Sequence, residues 1–372
     1  MVPSLPPPSL HLALEADGDG AHPAAWRAAP GAPSAVLSPA TLTGDVRLAE
    51  SAGFALVTFD DGPLAPYPSP DAAGRIEAGV RAAFLSTRTG AVGLAPTLHV
   101  TTTEPFHLAT QLAGLDHLSL GRGGWVVGAT DHPRALATVG APPRTAEETR
   151  RETAEVITAA RLLWDSWEDD AVIADRDSAR YLDADRVHRV GFRGEFFSVV
   201  GPLITPRPPQ GQLVVAGADT LGVTGLLDIA FVAADGRAAL EERAGRARRE
   251  GAPLVFADVD VVLDTPERPA DARLRELDAF TPWPGDGRLR HTGSAEGLRD
   301  LLEALAHTVD GVRLHPAVLA VDLPVLATGV LPALIARGAV RPPVPGARLR
   351  DTLGLPKPAN RFAAGTTPTP SR

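Results

Sequence analysis

The chain has 372 residues, with 44% hydrophobic and 22% charged residues, no cysteine and a formal net charge of −9, which bounds it to one large globular domain or two ordinary ones. The absent cysteine excludes disulfides, a thiolate nucleophile and Cys-ligated zinc or iron–sulfur centres. With 45 acidic against 36 basic residues there is no basic field for nucleic acid or anionic lipid, and the basic residues are 35 Arg and the single Lys357, a bias we assign to GC-rich coding DNA.

The opening MVPSLPPPSL lacks the basic start and long apolar run of a secretory signal, and no stretch reads as apolar enough to span a bilayer, so the expected location is the cytoplasm. Residues 1–9 read as a flexible start. From there short apolar runs alternate with longer amphipathic ones. A strand at Leu10 to Ala16 is followed by a helix at Leu42 to Ala52, a strand at Phe54 to Asp60 and a helix at Ala72 to Leu85. Next come a strand at Val92 to Val100, a helix at Pro105 to Leu118 and a strand at Trp125 to Ala129. The helix predicted over Ala146 to Asp169 opens on Thr145-Ala-Glu-Glu148, a capping box, and carries Val156, Ile157, Ala160, Leu163, Trp164 and Trp167 as its apolar stripe.

Asp175 to Pro209 breaks the alternation and reads as an inserted excursion, with a hairpin pattern over Phe192 to Val199 framed by Gly191, Gly194 and Gly201. Strands are then expected at Leu213 to Ala218, Ile229 to Ala233, Leu254 to Val262 and Val312 to His315, with helices at Gly236 to Glu250, Ala295 to Thr308 and Leu323 to Arg337. The segment after Leu221 is too short and Gly-broken for a helix. Eight strands alternating with helices predict a (β/α)8 barrel over residues 10–362, with an open doubly wound sheet as the competing arrangement and a frayed tail over 363–372.

Self-sufficient catalytic signatures are missing. There is no P-loop, nucleophile elbow, H-E-x-x-H or strand-linked Rossmann glycine pattern, and ten histidines are scattered without metal-ligand spacing. Asp258, Asp260 and Asp264 suggest a carboxylate cluster, Asp258 and Asp260 sharing a strand face; a polar strand end accounts for them equally well.

The stretch Leu162 to Gln212, beginning LLWDSWEDDAVIADRDSARY, resembles the flavin-dependent monooxygenases of the bacterial-luciferase-like superfamily, in the branch of nitrilotriacetate monooxygenase, pristinamycin synthase and dibenzothiophene-sulfone monooxygenase. Ala21 to Arg27 (AHPAAWR), Thr102 to Gly124 and Arg348 to Ala363 (RLRDTLGLPKPANRFA) agree in the same order. The resemblance implies a luciferase-type (β/α)8 barrel. It implies reduced FMN from a separate NAD(P)H-dependent reductase, reaction with dioxygen through a C4a-hydroperoxide, and insertion of one oxygen into a small organic substrate. The cofactor then carries the hard chemistry, and few titratable groups are needed. Paired barrels, as homodimer or heterodimer, are also implied.

Barrel physics places the site at the C-terminal ends of the strands. By resemblance, Asp61, His99 and Thr101 fall beside the flavin ring and Trp125 is a wall of the pocket. Gly217, Thr220 and Gly222, in the run Gly217-Ala218-Asp219-Thr220-Leu221-Gly222, together with Gly293 and Ser294, fall around the FMN phosphate. Taken alone, Asp61 before a glycine is a turn former and Ser294 a helix cap. Arg27 and Arg122 are candidates for a substrate carboxylate.

The chain departs from the family at specific places. The flavin-binding Asn of strand four is Val126, followed by Gly128 and Ala129, and the phosphate-turn Ser is Asp219, which sets a carboxylate near a dianion. The residues ahead of the long helix lack the family's His and Tyr, and Leu277 to His291 replaces a longer covering excursion. Two further readings follow: a divergent barrel that acts as a non-catalytic partner, and a deazaflavin (F420) dependent oxidoreductase.

Overall fold

The computed structural model describes residues 9–31, 33–64, 74–283 and 287–363. Eight parallel strands close into a barrel: β1 (His11–Glu15), β2 (Leu56–Phe59), β3 (Gly93–His99), β4 (Gly124–Gly128), β5 (Val214–Ala218), β6 (Ile229–Val232), β7 (Leu254–Leu263) and, after an added strand β8 (Leu289–Gly293), β9 (Gly311–Pro316). Pairing runs β1 to β7 in order, then β7 to β9 and β9 back to β1, with His11 opposite Gly311 and Ile229 opposite Leu254. The barrel reading thus holds and the open sheet does not.

β7 is long enough to serve two neighbours on one edge. Leu254 to Ala257 pair with β6, and Val259 to Leu263 pair with β8, which therefore stands above β6 at the C-terminal mouth.

Helices α1 (Pro39–Ala52), α2 (Ala78–Ser86), α3 (Pro105–Leu118), α4 (Ala146–Asp165), α5 (Arg237–Arg249), α6 (Ala270–Asp278) and α7 (Ala295–Leu305) surround the barrel. The capping box forms at α4, with the Thr145 hydroxyl and Glu148 carboxylate satisfying each other's backbone N–H groups. β8 and α6 were not anticipated. The expected start of the second helix at Ala72 lies outside the described residues, as do residues 1–8 of the expected flexible start and 364–372 of the tail. Between β5 and β6 there is no α-helix, only two 3-10 turns, Asp219–Leu221 and Thr224–Leu226. The excursion holds two short antiparallel pairs, one of them joining Phe192–Arg193 to Ser198–Val199.

One sequence expectation is corrected. The continuous helical stretch Leu319–Ala336, 18 residues with mean hydropathy 2.0, is long and apolar enough by length and composition to cross a membrane. Its Leu323, Leu326, Val330 and Leu334 are buried in the cluster shared with α1, α7 and β9, so one face of the stretch packs on the core.

Alternation along the strands separates lumen from flank. Ala13, Leu56, Ala95, Val126, Ala216 and Phe231 point inward, and Leu349 and Leu353 from the C-terminal segment join them as a plug. Arg350 fixes that plug by donating to both Asp228 oxygens and to the Gln212 and Leu213 carbonyls.

Candidate active site

The C-terminal mouth has two unlike walls. On the β1, β7 and β9 side lies an ion network. Arg313 makes a bidentate pair with Asp258 (Nε to Oδ1 2.7 Å, Nη2 to Oδ2 2.9 Å) and donates to Glu15 Oε2 at 3.3 Å, its guanidinium lying 3.7 Å from the Phe231 ring centre. His315 Nε2 lies 3.2 Å from Asp258 Oδ1. Glu15 also accepts from the Thr58 hydroxyl and the Asp60 N–H, both at 2.8 Å. Asp260 is neutralised by Arg288 at 3.1 Å and Arg290 at 3.6 Å. Asp258 and Asp260 thus do share a face, as arginine partners.

Burial disfavours the Asp258 carboxylate, but Arg313 and His315 outweigh it and hold its pKa below the ordinary carboxylate range. Burial lowers His315 to about 4 despite Asp258, and raises Glu15 to about 7 against the pull of Arg313. The two shifts act oppositely on stability. The folded chain keeps His315 neutral while the unfolded chain takes up a proton, so stability falls as pH drops from 6.5 towards about 4. It keeps Glu15 protonated where the unfolded chain has released the proton, so stability falls as pH rises from 4.5 to about 7. Urea midpoints at several pH values should therefore show His315→Asn removing part of the acid-side loss and Glu15→Gln part of the opposite slope; parallel profiles would contradict both assignments.

The β3–β5 wall is small and uncharged. Thr97, Gly128 and Ala218 follow the inward residues Ala95, Val126 and Ala216 by two positions, and Ala218 is exposed at the mouth. His99 stands above this shelf, its Nε2 donating to the Asp61 carbonyl at 3.0 Å while Nδ1 is buried without a partner. A Cβ on Gly128 would lie 2.7 Å from the His99 ring, which is why strand four ends in glycine.

The other sequence candidates are placed as follows. Both Asp61 oxygens accept backbone N–H groups, from Gly62 and Ala78, and Arg75 lies 3.6 Å away. The Thr101 hydroxyl accepts from the Thr130 N–H. Trp125 is corrected: it is fully buried on the flank, bonded to the Leu98 carbonyl and edge-on to Trp164, and does not reach the mouth. Gly217 also faces the flank, against Leu221 and Leu227, whereas Thr220 and Gly222 are exposed. Ser294 caps α7 through the Gly297 N–H, directly after Gly293.

Arg122 is likewise corrected, because its guanidinium is spent on the carbonyls of Ser86, Thr89 and Val92 at the opposite end of the barrel. Arg27 lies between the Trp26 and Phe280 rings beside a cavity of about 420 Å³ walled by Leu277, Val318 and Val321. Sequence reasoning missed Glu15, Arg313, His315 and Arg288. Pairs such as Glu15 and Arg313, 298 residues apart, leave no local signal.

Residues 21–277 match the model of the luciferase-like monooxygenase family. The chain is 28% identical to the N-acetyl-S-(2-succino)cysteine monooxygenase of Bacillus subtilis (strain 168), over 95% of this chain and 98% of that protein. It is 27% identical to nitrilotriacetate monooxygenase component A of Aminobacter aminovorans, over 76% and 79% of the two chains. The structure of the EDTA monooxygenase (EmoA) from Chelativorans sp. BNC1 superposes with a TM-score of 0.78 at 20% identity, covering 94% of this chain and 99% of that one. The chain belongs to the luciferase-like monooxygenase family and is an enzyme of the oxidoreductase class.

Proposed function

We propose that this enzyme is a cytoplasmic, two-component monooxygenase that uses reduced flavin from a separate NAD(P)H-dependent reductase to oxygenate a small organic substrate. Family membership joined to the two-walled mouth carries the reading. An isoalloxazine has flat apolar faces and a polar edge. Exposed Ala218, beside the His99 ring that covers Gly128, offers an uncharged border for a face, and the His99 Nδ1 is an acceptor without a partner. The ring end of the cofactor fits; the phosphate end, at Asp219, does not.

Bound reduced flavin would supply the electrons that activate dioxygen. The chain's own part is to bind, orient and dehydrate. Gly128 lets the His99 ring lie flat on strand four, and the Asp61 carbonyl fixes its tautomer. Arg313, held by Asp258 and Glu15, presents a fixed, charge-paired guanidinium at the mouth that does not reorganise.

The test is Ala218→Trp, which fills the shelf from an exposed position. It should weaken reduced-flavin binding by about tenfold or more, measured by anaerobic fluorescence titration, with an unchanged melting temperature. Unaltered affinity would remove the shelf from the site.

A further inference from the structure

The shelf ends at Ala218, and the next residue is a buried carboxylate whose side chain is 2% exposed. Asp219 is gripped by Arg243, whose Nε donates to Oδ2 at 3.0 Å and Nη2 to Oδ1, and by Arg246 at 3.1 Å. Arg243 also donates to the Ala233 carbonyl. Arg150 packs its stem on Gly222 and gives its guanidinium to Glu147 at 2.8 and 2.6 Å. The backbone here makes a single 3-10 turn, so this segment contributes no helix dipole. At the other candidate anion position the Ser294 hydroxyl oxygen accepts the Gly297 N–H as a helix cap, and Glu296 places a carboxylate in the first turn of α7.

From this we infer that the chain supplies its own anion where a cofactor phosphate would sit, and that its flavin site selects the ring with a neutral polyol tail over the phosphorylated one. The inference rests on the flavin reading above. A tail leaving the shelf past Ala218 meets arginines already paired, Arg243 and Arg246 with Asp219 and Arg246 also with Glu250 at 3.9 Å. A dianion must either displace that buried carboxylate, which leaves it uncompensated, or lie beside it and be repelled. A neutral ribityl chain meets neither cost, and its hydroxyls can bond the exposed Thr220.

The experiment is an anaerobic titration of the full chain and of Asp219→Asn with reduced riboflavin and with reduced FMN. Asparagine keeps the shape of the side chain and releases Arg243 and Arg246 for an external anion. The native chain should bind riboflavin at least as tightly as FMN. The variant should gain about tenfold or more for FMN while its riboflavin affinity, which also reports correct folding, stays the same. Native binding of FMN about tenfold tighter than riboflavin overturns the inference and leaves the flavin reading standing, as does a variant with an unchanged ratio. Failure of either protein to bind either flavin overturns the flavin reading, and the inference with it.

Discussion

Asp165→Ala should cost about 3–5 kcal/mol of folding stability, the range expected when one partner is removed from a buried ion pair. The Asp165 side chain is wholly buried at the end of α4. One oxygen accepts Arg207 Nε and Nη2 at 3.0 and 2.8 Å, and the other accepts Gln212 Nε2 at 2.6 Å. Arg207 is itself 3% exposed, so alanine leaves a dry guanidinium with Asp169 as its remaining carboxylate partner. The same junction ties the excursion down: the Ser166 hydroxyl takes the Leu203 N–H, Trp167 bonds the Leu203 carbonyl, and Asn360 spans the Asp165 and Trp167 carbonyls. Equilibrium urea unfolding measures the loss, and a change below about 1 kcal/mol, the scale of a surface pair, would show that the junction carries little.

Asp258→Ala should be comparably damaging, at about 3–5 kcal/mol, because it strands Arg313 inside the barrel above Phe231 and takes the acceptor from His315. Glu15 keeps one contact to Arg313, at 3.3 Å, and does not replace a bidentate partner. Replacing both members, as Asp258→Leu with Arg313→Met, should recover most of the loss, since two apolar groups of similar volume need no compensation. The double variant should at the same time lose flavin affinity if the network helps to orient the ring. A double variant as unstable as the single one would show that packing rather than charge governs this wall.

The barrel was legible because each strand of a covered parallel sheet is apolar on both faces and stands out as a short run. That property also hid which face is which. Trp125 and Val126 look alike in sequence, yet the first packs on α3 and α4 and the second lines the lumen. β8 was missed because Leu289-Arg290-His291-Thr292-Gly293 has no apolar alternation, its arginine answering Asp260 across the sheet. α6 was missed for a related reason: its buried positions include Arg273, whose partner Asp322 lies 49 residues away.

The passages that carry the family resemblance turn out to be chiefly scaffold. WDSWEDDA anchors the excursion, Arg350 and Asn360 fix the C-terminal plug, and Asp116 joins Gln210 to the Gly123 N–H. The ion-network wall of Glu15, Asp258, Arg313 and His315 is assembled from three strands spread along the whole chain. Only folding brings it together.

The most direct test of the account is anaerobic titration of the purified chain with reduced flavin, followed by mixing with oxygenated buffer. The two-walled mouth predicts saturable binding of reduced riboflavin or FMN, weakened by Ala218→Trp, and flavin oxidation whose rate the bound protein alters. No binding of either flavin at millimolar concentration would contradict it.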